Sequence, residues 1–365
     1  MVDLAAQHDE VATEVRDGWA GVCAHSGFVG GSEVGEFERE YAAYSGVRHC
    51  VGVGNGTDAL ELALRAVAVR GSDEVVLPAN TFVATAEAVL RAGATPVLAD
   101  VDDRHLLIDP EQVAARISRR TRVVLPVHLY GQAAPVERLH PLAEAAGALV
   151  VEDAAQSQGA RRHGHPAGGL GAVAATSFYP GKNLGAYGDA GAVLTDDEET
   201  ARRVRALGNH GSSVQYQHLE LGFNSRLDTV QAVVLRAKLG RLDAWNAARM
   251  RAARRYDEML AAVGGIRIPA TLPGNTHVWH LYVVRVPRRD EVLRLLNAQG
   301  IGARVHYPVP VHLHAAFSYL GHRRGAFPVA ERAAGEILSL PLYPHITVAQ
   351  QERVVEGLAK AVRHA

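Results

Sequence analysis

The chain has 365 residues, 48% of them hydrophobic, and a formal net charge of -1. That length exceeds the usual single-domain size, so two packed lobes around a sizeable core are expected, and near-neutrality gives no general attraction to nucleic acid or to an anionic membrane. The two cysteines, Cys23 and Cys50, form neither a disulfide framework nor a metal spacing, no apolar run is long enough to span a bilayer, and the start Met1-Val2-Asp3-Leu4-Ala5 lacks a basic stretch before an apolar core, so a cytoplasmic protein is expected.

In chain order, Cys50-Val51-Gly52-Val53 reads as a short strand that turns through Gly54-Asn55-Gly56 into an amphipathic helix with Leu60, Leu64 and Val67 on one side. Apolar runs at 74–78, 95–99, 121–126, 148–152, 172–178 and 190–194 read as strands, alternating early on with helical stretches at 84–91 and 136–146. Such alternation predicts an α/β fold with a mostly parallel sheet covered by helices. From Asp228 to Val263 the pattern predicts one long helix, broken by Gly264-Gly265. A domain boundary near residue 240, inside that helix, divides the chain into a large domain (1–240) and a small C-terminal domain (241–365). The second lobe reads as a strand over 280–286, a helix over 289–299, a loop through Pro308-Val309-Pro310 and helices over 328–338 and 348–363. Pro328 suits a first helical position.

The chemistry is carried by three places along this pattern. The strand at 148–152 stops at Asp153, and the carboxyl ends of strands are where ligands of open α/β sheets bind. About thirty residues on, Ser177-Phe178-Tyr179-Pro180-Gly181-Lys182-Asn183-Leu184-Gly185 sets one lysine in a loop of small residues. A lysine that forms a Schiff base needs an electron sink whose ring nitrogen stays protonated, and a buried carboxylate supplies that bias. Lys182 and Asp153 fit these roles, which points to pyridoxal 5'-phosphate. The third place is the turn before the first amphipathic helix, where amides at Gly56, Thr57 and Asp58 would face a phosphate at the positive end of the helix dipole. Its glycine spacing matches neither a dinucleotide fingerprint nor a P-loop, which counts against a nucleotide-binding oxidoreductase. Each part alone has an ordinary reading, as a helix cap, a loop acceptor or a solvated lysine. It is the ordered set that carries the inference.

The motifs Gly54-Asn55-Gly56-Thr57-Asp58-Ala59-Leu60, Thr81-Phe82-Val83-Ala84-Thr85, Pro126-Val127-His128-Leu129-Tyr130-Gly131, Glu152-Asp153-Ala154-Ala155-Gln156, Ser177 to Lys182, Gly188-Asp189-Ala190-Gly191 and Asn224-Ser225-Arg226-Leu227-Asp228 resemble the DegT/StrS family of sugar aminotransferases. The resemblance implies the fold-type-I architecture of pyridoxal-phosphate transferases: a large domain with a mostly parallel seven-stranded sheet between helices, a smaller C-terminal α/β domain, and an N-terminal arm packed on the latter. It implies a Schiff base at Lys182, an ion pair from Asp153 to the pyridine nitrogen, and a hydrogen bond from Gln156 to the cofactor's ring oxygen. Phe82 would lie against the ring face, and Ser177 with the amides of Gly56 and Thr57 would hold the phosphate. Asn224 would reach the phosphate of the neighbouring subunit's cofactor, which requires a homodimer with active sites at its interface. Some members are dehydratases in which histidine replaces the lysine, so Lys182 sides with transamination.

The expected reaction moves an amino group from an amino acid, by family habit L-glutamate, to a dTDP-linked keto-6-deoxyhexose, through the pyridoxamine 5'-phosphate form of the cofactor. Amination at C3 is preferred because His306-Tyr307-Pro308-Val309-Pro310-Val311-His312-Leu313 resembles that subgroup; C4 is the alternative, and an inactive cofactor-binding regulator a remoter one. His306 and Tyr307 are candidates for contacting the sugar or nucleotide, and Arg226 for a charge-assisted contact to phosphate or substrate across the dimer. Two prolines between His306 and His314 prevent those imidazoles from sharing a helix face, so no metal is expected.

Overall fold

The computed structural model describes residues 2–214, 216–268 and 270–365. Seven strands form the central sheet: β1 (His49–Val53), β2 (Glu74–Pro78), β3 (Thr95–Ala99), β4 (Thr121–Val124), β5 (Leu149–Asp153), β6 (Val173–Ser177) and β7 (Gly191–Thr195), in the spatial order β1-β7-β6-β5-β4-β2-β3. Pairings among β2 to β6 are parallel, while β7 runs antiparallel to both its neighbours, β1 and β6. Six strands therefore point one way. Every residue of β2 and of β7 is buried, as expected where helices cover both faces of a sheet and strands read as continuous apolar runs.

This topology gathers the chemistry at one edge. Val53 of β1, Asp153 of β5 and Ser177 of β6 are carboxyl-terminal residues of co-directional strands, and Gly191 at the start of the reversed β7 pairs with both Val53 and Ser177. Two helices begin at that edge, α1 (Gly56–Ala66) and α2 (Val83–Arg91). Leu60, Leu62 and Leu64 of α1 are buried in the main core with Val75 and Leu77 of β2 and Val193 of β7. Full burial of each such side chain contributes roughly 1.5–3 kcal/mol, so the start of α1 is fixed by the core beneath it.

The expected single helix from Asp228 to Val263 is two helices, α3 (Thr229–Leu239) and α4 (Leu242–Leu260), separated at Gly240-Arg241. A glycine inside a helix costs about 1 kcal/mol relative to alanine, and here the interruption falls at the residue where the second lobe was expected to begin. Beyond it, a second core forms from Tyr256 and Leu260 of α4, Tyr282 and Val284, Leu296, Leu338, Leu340 and Leu358. Its strands are β8 (Tyr282–Arg285) and β9 (Ile337–Leu340), paired antiparallel. The helix expected over 328–338 thus stops at Glu336. Ile337, Leu338 and Leu340 are buried against β8, and that pairing overrides the local helical pattern. Near the N-terminus, Glu10 accepts from the Trp245 indole at 3.0 Å and meets His345 at 2.5 Å, tying the first residues to α4 and to the C-terminal part of the chain.

Candidate active site

A cavity of about 680 Å³ opens at the carboxyl edge of the sheet. Its lining includes Gly56, Thr57, Phe82, Asp153, Gln156, Ser177, Lys182, His306 and Tyr307, all singled out from sequence. Asn224 and Arg226 are exposed and do not line it. Arg226 also makes no ion pair with Asp228 among the described residues.

The turn into α1 is built by its own side chains. Asn55 is the cap: its Oδ1 accepts from the Asp58 amide at 2.8 Å and its Nδ2 donates to the Asp58 carboxylate at 3.0 Å. The Asp58 amide is therefore committed, which corrects the expectation that it would face a ligand. The Gly56 and Thr57 amides have no protein acceptor among the described residues; the first N–H groups of a helix lack intrahelical partners. Gly56 is required by closeness: a Cβ there would stand 2.5 Å from Ser177 Cβ. Ser225 fixes the start of the turn by accepting from the Gly54 amide at 3.0 Å.

Asp153 closes β5 in a buried position. Its Oδ2 accepts from Thr85 Oγ1 at 2.7 Å and its Oδ1 from the Ala155 amide at 3.1 Å. Thr85 has spent its hydrogen on Asp153, so the 2.8 Å contact between the two threonines is donated by Thr81. Burial pushes the Asp153 carboxyl above its ordinary range, against the opposing pull of Thr85, Ala155 and Lys182. Lys182 moves the other way: burial lowers its ammonium to about 8, against the attraction of Asp153. The neighbouring Glu152 points to the other face of the strand and is also buried. Burial would raise it, but His128 at 2.6 Å and the amides of Gly168, Leu170 and Gly171 bring it below the usual value.

Gln156 spans the cavity wall, accepting from the Tyr130 amide at 2.7 Å and donating to the Tyr307 hydroxyl at 3.0 Å. Tyr130 in turn donates its hydroxyl to the His306 carbonyl at 2.6 Å, and His306 Nδ1 meets Ser339 Oγ at 2.8 Å. The His306–Tyr307 segment is thus held from both the large-sheet side and β9. Phe82 is 49% exposed and its ring lies 5.1 Å from that of Tyr307, so it is a wall of the cavity and not a core residue.

Sequence reasoning missed His280 and Arg304 and gave no role to Thr85 and Asp189, which stand inside the quoted motifs; all four line the cavity. His280 Nδ1 lies 3.2 Å from Asn183 Oδ1, and Asn183 spends its Nδ2 hydrogens on Asn246 and the Val278 carbonyl. Asn183 can therefore only accept from His280, whose Nδ1 carries the proton. Burial, and then the Lys182 charge, push His280 well below the ordinary histidine range; burial lowers His306 to about 4. Both imidazoles are neutral near pH 7. The cluster residue His312 is used elsewhere, buried and 3.0 Å from Glu331.

Over 366 residues the chain is 44% identical to a pleiotropic regulatory protein of Geobacillus stearothermophilus, covering 100% of this chain and 98% of that one. It is 46% identical over 358 residues to a dTDP-3-amino-3,4,6-trideoxy-alpha-D-glucose transaminase of Streptomyces venezuelae, covering 98% of this chain and 94% of the relative. The crystal structure of S. venezuelae DesV in complex with a ketimine intermediate superimposes with a TM-score of 0.96 at 46% identity, over 98% of this chain and 97% of that one. The family model for DegT/DnrJ/EryC1/StrS aminotransferases matches residues 12–359, and the chain belongs to that family of enzymes.

Proposed function

We propose that this protein transfers an amino group from an amino acid donor, L-glutamate, to the C3 keto group of a dTDP-linked keto-6-deoxyhexose, with pyridoxal 5'-phosphate held at Lys182 and active sites completed in a homodimer. The observation that carries this reading is that Lys182 and the buried carboxylate of Asp153 line one cavity together with the start of α1 and Ser177, burial lowering the lysine to about 8 and raising the carboxyl. The residues present fit the cofactor. Two uncommitted amides at the start of α1 and the Ser177 hydroxyl suit a phosphate, and the close approach of Gly56 to Ser177 leaves that cradle free of side-chain bulk. The desolvated Asp153 suits a protonated ring nitrogen, since an adjacent cation offsets the cost of its burial.

When bound, the cofactor supplies the carbonyl that the donor amine replaces and the ring that takes up the electron pair of the broken bond. The chain's own part is proton traffic and orientation. Once displaced by the donor, the Lys182 amine would take the donor's α-proton and deliver it to the cofactor carbon that had carried the carbonyl, and in the second half-reaction it would move a proton from that carbon to the sugar carbon. Asp153, held by Thr85 and the Ala155 amide, would favour positive charge at the ring nitrogen. Phe82 would lie against the ring, Gln156 would donate to the ring oxygen the amide hydrogen it does not give to Tyr307, and His306 and Tyr307 would meet the sugar. Asn224 and Arg226, turned away from this chain's cavity, serve the neighbouring subunit.

The 3-amino sugar in the name of the Streptomyces venezuelae relative supports C3. The regulatory name of the Geobacillus relative is outweighed here by the complete set of Lys182, Asp153 and Gln156. The test is the absorbance spectrum of the purified protein, converted by glutamate to the aminated cofactor and then mixed separately with dTDP-3-keto and dTDP-4-keto deoxyhexoses. Return of the original band with the 3-keto sugar alone is expected. Return with the 4-keto sugar alone would move the reaction to C4, and no band after adding pyridoxal phosphate would remove the cofactor reading.

A further inference from the structure

The cavity has to admit anions. On the reading above, an amino acid brings carboxylates and a nucleotide-linked sugar brings a diphosphate, yet the cations available to meet them are few. Among the described lining residues only Lys182 and Arg304 carry basic side chains other than histidine. His280 and His306 are neutral near pH 7, each shifted down first by burial. Lys182 is committed to the cofactor and to proton transfer. That leaves Arg304 as the permanent positive charge that this chain itself brings to the cavity, beside any contribution from Arg226 of the partner subunit.

Arg304 is placed for that task, and its side chain has no other partner among the described residues. Its backbone is bridged antiparallel to Ser339 of β9, with the Arg304 amide donating to the Ser339 carbonyl at 3.1 Å and the Ser339 amide to the Arg304 carbonyl at 2.8 Å. Two residues on, His306 is held by Ser339 and Tyr130, so the segment 304–307 is registered on both sides. The guanidinium itself makes no hydrogen bond or ion pair among the described residues. Many other arginines of the chain are spent structurally: Arg285 on Asp103 and Glu336, Arg162 on Glu137, Arg205 on Glu38. Asp189 lines the same cavity with no partner among the described residues, so an anion entering is repelled there and drawn toward Arg304. The guanidinium fork matches the paired oxygens of a carboxylate or phosphate. The cofactor's phosphate does not claim it, being provided for at the start of α1.

We propose that Arg304 is the substrate-anion receptor of this cavity, binding a paired-oxygen group, either a carboxylate of the amino acid donor or the diphosphate of the sugar acceptor. This rests on the transaminase reading for its substrates, so the test includes binding without turnover. Wild-type, Arg304→Met and Arg304→Lys proteins, loaded with pyridoxal phosphate, are titrated calorimetrically with glutarate and, separately, with dTDP, neither of which can react. The two half-reactions are then followed by rapid-mixing absorbance. Loss of a charge-assisted hydrogen-bonded pair weakens binding roughly tenfold or more. Arg304→Met is therefore expected to weaken one probe by that factor and raise the half-saturating concentration of the matching substrate in parallel, with the limiting rate within about twofold. Arg304→Lys recovers part of the loss. A loss for glutarate assigns the site to the donor carboxylate, and a loss for dTDP to the acceptor diphosphate. Unchanged binding of both probes, or a loss confined to cofactor retention, overturns the proposal. If wild-type protein binds a probe through Arg304 but glutamate leaves the cofactor unchanged, the transaminase reading fails while the receptor stands.

Discussion

Lys182 and Asp153 each lose water on folding, and each draws the other back toward its ordinary proton affinity. Burial lowers the lysine to about 8 while Asp153 raises it, so two opposed effects set the value. The cofactor-free protein should show an amine whose reaction with an acylating reagent rises through about pH 8, not near 10.5, and Lys182→Ala should abolish that reaction. Asp153→Asn removes the charge that favours the ammonium and should move the midpoint further down. A midpoint that stays put or rises in Asp153→Asn would show that the two groups do not interact. Thr85 tests the same carboxylate from the other side: Thr85→Val leaves a buried Asp153 oxygen without its donor, at a cost of about 1–3 kcal/mol. Urea unfolding should register that loss, with Thr85→Ser close to wild type; an unchanged midpoint in Thr85→Val would mean that the bond at 2.7 Å carries no stability. Lys182 and Asp153 were legible in the sequence because a strand end and a small-residue loop fix their places locally. Thr85, His280 and Arg304 were not, because their roles exist only where α2, the residues leading into β8 and the 304–307 segment meet the sheet edge.

At the scale of elements, β5 is pinned from behind as firmly as it is used in front. Glu152 is fully buried and takes donors from His128 and three backbone amides. His128 Nδ1 accepts from the Ala134 amide at 3.0 Å, so its single proton sits on Nε2 and is donated to Glu152. Removing that donor leaves an oxygen of a buried carboxylate short of a partner, at a cost of about 1–3 kcal/mol or more because the group is charged. His128→Ala should therefore unfold at clearly lower urea. The sign in acid follows from linkage: Glu152 is held below its unfolded value of 4.5, so its stabilisation is present above that pH and is lost as pH falls through the lower folded value. Without His128 the folded value rises, and acid unfolding should begin at higher pH. If the acid transition of His128→Ala instead coincided with that of wild type, Glu152 would not be the controlling group. The strands of the sheet were readable because parallel strands buried on both faces are continuous apolar runs. The break between α3 and α4 and the conversion of 337–340 from expected helix to β9 were not. One depends on a single glycine, Gly240, and the other on a partner strand some fifty residues away, and neither leaves a mark in the local period.

For the whole molecule, the described chain leaves an apolar surface that a monomer does not explain. Tyr216 is 86% exposed, Leu219 79% and Leu221 90%, directly before Asn224 and Arg226. Clustered exposed apolar side chains mark an interaction surface, and a second copy of this chain is the partner proposed above. In an isologous dimer each surface serves the other subunit in turn, so replacing Leu219 and Leu221 by aspartate should yield monomers in sedimentation and lose activity with Lys182 intact. The domain division at residue 240 belongs to the same proposal, since the large domain would carry both this surface and Lys182.

Complementation makes the sharing of sites measurable. Asn224→Ala protein keeps its own Lys182 but cannot complete its partner's site; Lys182→Ala protein keeps Asn224 but has no amine. Alone, each should be close to inactive. Mixed, unfolded and refolded together, half of the dimers would hold one of each subunit. In those, the Lys182 of the Asn224→Ala subunit is served by the intact Asn224 of the other, giving one complete site in two. Random pairing of a C2 dimer therefore predicts recovery of about a quarter of wild-type activity. Were Asn224 to act within its own chain, the Lys182-bearing subunit would lack it in every dimer and no activity would return. The recovered fraction reads directly whether a polar side chain that stands outside its own cavity is working in its neighbour's.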